Sequence, residues 1–372
     1  MSDAPAAAAA RTQHSRSFTD AVAMPRGPAM NNRFMLAPLT NMQSNPDGSL
    51  GEDEYNWLTM RARGGYGLVM TCAAYVTACG KGAPGQLGVH CDGMIPGLAR
   101  LAEGIRREGC LSSLQIGHSG HRSVPKLGGE PVGPVAVPES GARALTTGEI
   151  RRLRDAFVAA AVRAEKAGFH GVELHSAHGY LLCQFLDSAN NRDDGYGGAL
   201  EDRMRFLNDI IDGIRASTRS DFQLGVRLSP ERYGITIEDA RAAASALMTS
   251  GRIDYLDMSL WSVFKEPEDR AWAGWRLIDL FTGLPRGNTP LGVAGKIMDA
   301  ATAQACIDAG ADFVLVGRGA IIHHDFPRRA IADPAFASLP RPVPRAHLEA
   351  GAVGPRFMNY LEKGWPGFVE AA

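Results

Sequence analysis

Residues 291–319, LGVAGKIMDAATAQACIDAGADFVLVGRG, decide the fold. Two short apolar runs, Leu291–Val293 and Phe313–Val316, flank a segment over 299–309 with helical periodicity. That segment stops at Asp308-Ala309-Gly310, with glycine just past the last turn. A glycine turn follows each apolar run, at Gly295–Ile297 and at Gly317–Gly319. Strand, turn, helix and strand in this order form a βαβ unit, and the alternation extends back through the chain. Further strands are expected at Phe34–Ala37, Leu68–Thr71, Ser113–Ile116, Val172–Leu174, Gln223–Leu228 and Tyr255–Met258. Helices are expected near 53–63, 94–108, 148–166, 200–217, 237–250, 270–281 and 319–331. Eight βα units in series predict an α/β fold, a single (β/α)8 TIM barrel with short N- and C-terminal extensions. A doubly wound sheet would carry GxGxxG after an early strand, and no such turn is present. The expected organisation is a disordered extension over 1–24, the barrel over 25–335, and a C-terminal extension over 336–372 that is a candidate subunit contact.

Composition narrows the function classes. Hydrophobic residues make up 45% and charged residues 21%, as in a globular enzyme with a sizeable core. The net charge of −1, with no long run of one sign, offers nothing to nucleic acid or an anionic membrane. No apolar stretch approaches the ~20 residues that span a bilayer. Cysteines 72, 79, 91, 110, 183 and 306 form no CxxC pair, which points to a reducing compartment. At the N-terminus Ala6–Ala10 precede Arg11 and Arg16, the reverse of a secretory signal, although the Ala-, Ser- and Arg-bearing composition also suits a transit peptide. A cytoplasmic location is expected.

Chemistry gathers in residues 170–198, HGVELHSAHGYLLCQFLDSANNRDDGYGG. A short apolar strand runs from Gly171 to Leu174, and His175, His178 and Tyr180 follow at its C-terminal end. In a barrel the C-terminal strand ends carry the active site. Two imidazoles can hold one developing oxyanion while a phenol delivers a proton from another angle. Thr40, Gln115, His118, Arg227 and Arg318 fall at other strand ends. Arg227 sits inside the apolar frame 224–228 and needs an acidic or oxygen-rich partner, because a buried unpaired charge is very costly. The N1/C2=O edge of an isoalloxazine would serve, and so would an ion pair inside the barrel. Arg318, between Gly317 and Gly319, suits a phosphate.

The segments NRFMLAPLT (32–40), RARGGYGLVMT (61–71), LQIGHSG (114–120), HGVELHSAHGYLLCQFL…NNRDDGYGG…EDRMRF (170–206), GVRLS (225–229) and VGRG (316–319) resemble the old yellow enzyme family. These are FMN-dependent, NADH- or NADPH-oxidising ene-reductases on a TIM barrel, and the resemblance covers about residues 30–335. It implies that Ala37, Pro38, Leu39 and Thr40 lie along the flavin, with Thr40 near O4. Ala73 would pack on the ring, Gln115 would bond its pyrimidine edge and Arg227 would stabilise N1. Gly295, Lys296, Gly317 and Arg318 would hold the phosphate. His175 and His178 would bind the oxygen of an activated alkene, a small enone or nitro compound, and Tyr180 would protonate it. A phenol, with an ordinary pKa near 10, is an acid at neutral pH without tuning.

The chain also departs from the family pattern. Thr40 and Met42 stand where many relatives carry a cysteine and an aromatic residue, and His121 stands where an Arg is usual. Asp193 and Gly195 replace a commoner Thr and Glu. The stretch 361–365, LEKGW, resembles a tail that some relatives insert into a neighbouring subunit, with Lys363 in place of Arg, so a homo-oligomer is one expectation. Larger relatives add an iron–sulfur cluster and a second flavin domain. The last cysteine is Cys306, so a lone barrel is expected.

The alternative from another class is a metal-dependent TIM-barrel lyase or aldolase with His175 and His178 as ligands. No third ligand is evident nearby apart from Asp187 and Asp193–Asp194, and no metal is expected. A protein that binds FMN without turnover is a third reading, opposed by the presence of both histidines and Tyr180. The trio His323-His324-Asp325 looks like a metal cluster by composition but is expected at the surface. Cys183, inside an apolar run, reads as a buried small hydrophobe.

Overall fold

Eight parallel strands close on themselves in chain order in the computed structural model, which describes residues 16–128 and 131–371. They are β1 (Phe34–Leu36), β2 (Leu68–Met70), β3 (Leu111–Gly117), β4 (Gly171–Ser176), β5 (Gln223–Leu228), β6 (Tyr255–Ser259), β7 (Leu291–Ala294) and β8 (Phe313–Val316). Pairing β8 with β1, in the register Met35 to Leu315, shuts the barrel. All eight expected strands are present, and β5 and β8 have the expected bounds.

Side chains alternate along each strand, giving the barrel two cores. One alternate set, including Leu36, Val69, Leu174, Val226 and Val314, meets the surrounding helices. The other set, Met35, Leu68, Met70, Leu111, Tyr255, Phe313 and Leu315, forms a separate cluster inside the barrel. Glycines on the inner face make room for its rings. A Cβ at Gly225 would lie 2.1 Å from Tyr255 Cζ, and one at Gly292 would lie 2.1 Å from Phe313 Cε2. Above this apolar layer the inner positions turn polar.

The helices are α1 (Glu52–Arg63), α2 (Ile95–Arg106), α3 (Thr147–Lys166), α4 (Leu181–Leu186), α5 (Leu200–Ser217), α6 (Ile237–Thr249), α7 (Leu277–Thr282), α8 (Ala300–Asp308), α9 (Arg318–Ile322), α10 (Phe326–Ala332), α11 (Arg345–Ala350) and α12 (Pro355–Gly364). Helix α3 starts where Thr146 and Glu149 close a reciprocal capping box. The helix expected over 270–281 is a 3₁₀ turn at Arg270–Trp272 followed by α7. The helix expected over 319–331 is split into α9 and α10, and Pro327 opens the second.

The extension expected to be disordered over 1–24 is ordered from Arg16 onward, while residues 1–15 lie outside the described residues. Arg16 pairs with Asp312 at 3.0 Å, and Phe18 packs on Phe34 with ring centroids 4.9 Å apart. Val22 and Met30 bridge each other and enter the barrel's inner cluster. Apolar contact at these three positions offsets the entropy that the polar composition around them would favour. Beyond α10 the chain folds back on the barrel: Phe357 packs edge-on to Trp57 at 5.0 Å, and Val343 bridges Val369. No helix among the described residues is long and apolar enough to cross a membrane.

Candidate active site

The C-terminal ends of all eight strands open into one cavity of about 500 Å³, the size range of small-molecule and cofactor sites. The residues expected to catalyse or to hold the flavin all line it: Ala37, Pro38, Leu39 and Thr40 after β1, Ala73 after β2, Gln115 on β3, His175, His178 and Tyr180 at β4, Arg227 on β5, Gly295 and Lys296 after β7, and Gly317 and Arg318 after β8. Cys72, Arg122, Tyr233, Ser259, Trp261 and Tyr360 also line it without a mark in the sequence pattern, and so does Trp365 of the 361–365 stretch.

Three groups converge at β4. His175 is buried on the strand, and its ring centroid lies 5.1 Å from that of His178 and 5.0 Å from that of Tyr180. His178 leaves the strand with φ 60°, a left-handed conformation that turns its ring back over the cavity. Its backbone N–H donates to Ser229 Oγ at 3.0 Å, and its Nε2 meets Ser259 Oγ at 2.8 Å. Burial is the main force on both imidazoles. It holds His175 well below the ordinary histidine value and His178 at about 3, with Arg227 and Arg122 adding to the shift. Both rings are therefore neutral at physiological pH, each with one N–H to offer. His175 Nδ1 is buried and has no hydrogen-bond partner within the protein.

The guanidinium expected at position 121 comes instead from its neighbour. Arg122 Nη1 donates to the His178 carbonyl at 2.6 Å, and its Cζ lies 4.8 Å from the centre of the Tyr180 ring. Arg122 is thus placed to fix the approach of Tyr180. His118, also at a strand end, is buried and pushed down to about 4, and its Nδ1 accepts from Gly120 N at 3.0 Å.

Beneath the cavity Arg227 Nε lies 3.0 Å from Asp257 Oδ2 without the alignment of a hydrogen bond. The internal ion pair weighed from the sequence therefore exists. It uses one edge of the guanidinium only, since Nη1 reaches the Pro38 carbonyl at 3.4 Å and Nη2 reaches Ser259 Oγ at 3.3 Å along the cavity wall. Glu173 shares this layer. Burial and then Asp257 raise its pKa, and its Oε1 accepts from Gln115 Nε2 at 2.7 Å. With the amide nitrogen engaged below, the Gln115 carbonyl is left for a donor above.

Opposite, Arg318 is half-buried, and no carboxylate lies within ion-pair reach of it among the described residues. The Trp365 ring lies 5.2 Å from its Cζ. Burial and nearby Arg341 both lower its pKa, as expected where cations gather with no anion between them. Exposed Lys296, with φ 56°, lines the same cavity.

Fit to a flavin nucleotide follows from these groups. An acceptor at Gln115 and a donor at Arg227 match a pyrimidine edge, and uncompensated Arg318 with Lys296 matches a phosphate. Among the described residues no group of three or more His, Cys, Asp or Glu is gathered to hold an ion. The expectation of a surface trio at His323-His324-Asp325 is corrected at His323, which is buried against Phe336 and His347 under the C-terminal segment and accepts from Leu339 N at 3.1 Å. Cys183 is buried, and its thiol is pushed up to about 12 by burial. Lys363 is exposed and outside the cavity, whereas Tyr360 and Trp365 of the same helix region line it.

Comparison with known proteins places the chain among flavin oxidoreductases. The model of the NADH:flavin oxidoreductase / NADH oxidase family matches residues 27–333. A probable NADH-dependent flavin oxidoreductase of Bacillus subtilis is 36% identical over 309 residues, 80% of this chain and 82% of that one. An NADH oxidase of Thermoanaerobacter brockii is 34% identical over 81% of this chain, which spans only 48% of that relative's length. Among solved structures, the old yellow enzyme homologue from Zymomonas mobilis superposes with a TM-score of 0.77 at 28% identity, over 91% of this chain and 99% of that one.

Proposed function

The chain belongs to the NADH:flavin oxidoreductase / NADH oxidase family, and from that premise we propose that it reduces the C=C bond of α,β-unsaturated carbonyl or nitro compounds. It is an NAD(P)H-dependent flavin oxidoreductase with FMN as its flavin. The observation that carries the finer reading is the pair of neutral, buried imidazoles facing a phenol at about 5 Å ring spacing.

FMN, when bound, supplies to the alkene β-carbon the hydride that NAD(P)H provides. The chain's own residues do the rest. Arg318 and Lys296 anchor the phosphate, Gln115 and Arg227 hold the pyrimidine edge, and the 37–40 turn forms the wall along the ring. His175 and His178 donate hydrogen bonds to the carbonyl or nitro oxygen and draw charge onto it, making the β-carbon electrophilic. Each such donor is worth roughly 3 kcal/mol in a transition state. Tyr180, steadied by Arg122, delivers its proton to the α-carbon. The exclusion of water by the buried His175 and the apolar wall strengthens these polar contacts.

Tyr180→Phe tests the reading. Anaerobic stopped-flow should show alkene reduction slowed by roughly 10² or more, the contribution of a positioned general acid. Flavin reduction by NADH or NADPH should stay within about twofold. Equal losses in the two half-reactions would remove Tyr180 as the proton donor.

A further inference from the structure

Immediately after β6 the backbone makes a three-residue turn, in which Ser262 N–H donates to the Leu260 carbonyl across Trp261. Trp261 at its centre has φ 62°, a left-handed conformation that bulky side chains rarely adopt. The turn is pressed into place from the neighbouring strand. Leu260 N–H donates to the Ala294 carbonyl at 2.8 Å and Val263 N–H to the Gly295 carbonyl at 3.2 Å. A Cβ at Gly295 would lie 2.9 Å from Ser262 N, so the residue that follows β7 lies directly against the turn. Glycine is the residue this conformation favours, and the chain places its largest side chain there instead.

What the side chain does is visible around it. Trp261 is 50% exposed and lines the cavity. Arg232 Cζ lies 4.7 Å from the centre of its ring, and Glu268 grips that guanidinium. Arg232 and Tyr233 are themselves left-handed, at φ 68° and 54°, so the loop after β5 is bent to bring the cation to the indole and the phenol toward His178, 6.3 Å between rings. Ser259, two residues before Trp261, is the hydroxyl that meets His178 Nε2. The indole therefore flanks the oxygen-holding end of the cavity, held by a fixed cation and a fixed backbone. Strained non-glycine residues that persist in this way cluster where a ligand is clamped.

We propose that Trp261 is a specificity-determining residue and that its indole selects activated alkenes bearing a planar aryl or extended conjugated group. This rests on the alkene-reducing reading of the same cavity. An aryl group gains an aromatic contact that a small alkyl substituent does not, and the guanidinium behind the ring fixes the plane against which it packs.

The test compares trans-β-nitrostyrene with 1-nitropropene, which share the reacting group and differ by phenyl against methyl, on the FMN-loaded protein. Trp261→Gly should lower kcat/KM for nitrostyrene about tenfold relative to nitropropene. Trp261→Phe should stay within about threefold of the parent, because a ring is restored. The melting temperature of Trp261→Gly should not fall, since glycine accepts the φ that tryptophan does not. A purely structural role predicts the opposite: lower melting and equal losses on the two alkenes. Equal losses overturn the proposal, as does a loss that appears instead in flavin reduction by NAD(P)H, which would assign the indole to the nicotinamide. Dissociation constants of the two nitroalkenes, read from the visible spectrum of the oxidised flavin, separate the two readings. If neither compound is turned over but nitrostyrene binding still weakens about tenfold in Trp261→Gly, the alkene-reduction reading fails and the role of Trp261 stands.

Discussion

The neutrality of the two active-site histidines is a consequence of where β4 ends. Burial inside the barrel disfavours the protonated form of His175, and His178, Arg227 and Arg122 repel a further positive charge. The pair therefore donates hydrogen bonds without acting as an acid in the physiological range. This has a kinetic signature. The rate of the alkene-reducing half-reaction should show no ionisation near pH 6.5, the ordinary histidine value, because His178 titrates at about 3 and His175 well below its ordinary value. A stopped-flow profile from pH 5 to 8 with an inflection at 6.5 would mean that one imidazole is charged in the working enzyme. These residues were legible in the sequence because strand, two histidines and tyrosine fall within ten positions, 171–180, so local order alone brings them together. Ser259 and Arg122 were not. Ser259 reaches His178 from 81 residues away, and the guanidinium beside Tyr180 comes from a position one residue removed from where the resemblance would put it. Arg227 was legible only as a demand for an oxygen-rich partner, and the barrel answers it with Asp257 and Pro38 together.

At the scale of elements, the barrel was legible because its strands are short apolar runs with glycine stops, while the joints between helices were not. One joint matters to the cofactor end. Arg61 of α1 is fully buried, its Cζ 3.1 Å from the centre of the Trp57 ring. Its Nε and Nη2 donate to the Ala320 carbonyl at 3.2 and 3.0 Å, and its Nη1 donates to the Gly351 carbonyl at 2.6 Å. Ala320 belongs to α9, whose first residue is the cavity's Arg318, and Gly351 ends α11 in the C-terminal extension. A single guanidinium thus ties α1 to the phosphate end and to a segment 290 residues away. A motif such as RARGG announces none of this, because backbone carbonyls at distant positions carry no sequence signal. The C-terminal helices were missed for a related reason: α12 is amphipathic, but its apolar face packs on α1, which is about 300 residues away in the chain. Arg61→Leu removes the donors and leaves two carbonyls unsatisfied, at a cost of roughly 3 kcal/mol. It should lower the melting temperature by several degrees and weaken FMN binding several-fold in a fluorescence titration. Lower melting with unchanged FMN affinity would show that α1 does not hold the Arg318 turn.

Across the whole molecule, a closed and rigid barrel is set against a strained and polar mouth. Among the described residues seven non-glycine positions have positive φ, and five of them, Met42, His178, Tyr233, Trp261 and Lys296, line the cavity. Each such residue stores about 1–3 kcal/mol, which the ladder of parallel strands and the two cores must offset. Buried titratable groups add a second load, whose sign depends on pH. His118, His178 and His323 are held neutral at about 4, 3 and 4, so the unfolded chain binds more protons below 6.5 and stability falls as pH drops from there. Glu54 acts in the other direction. Its carboxyl is wholly buried, Ser44 Oγ reaches Oε2 at only 3.4 Å, and Oε1 has no partner. Burial pushes it up to about 7, against weaker pulls from Asn41, Cys72 and Ser44. A folded-state pKa above the unfolded value of 4.5 gives stability that is complete below 4.5 and is lost as pH rises through 7. Histidines on the acid side and Glu54 on the alkaline side should confine maximum stability to a band around pH 6. Glu54→Gln removes the alkaline limb. Its amide keeps an acceptor for Ser44 and brings a pH-independent penalty for the unpaired N–H, so the informative quantity is the slope. Measured by thermal unfolding from pH 5 to 9, the variant should gain on the parent between pH 5 and about 7 and level off above, by up to about 3 kcal/mol. A constant offset between the two curves would mean that Glu54 is ionised in the folded barrel, and with it that the wall behind Asn41 and Cys72 admits water.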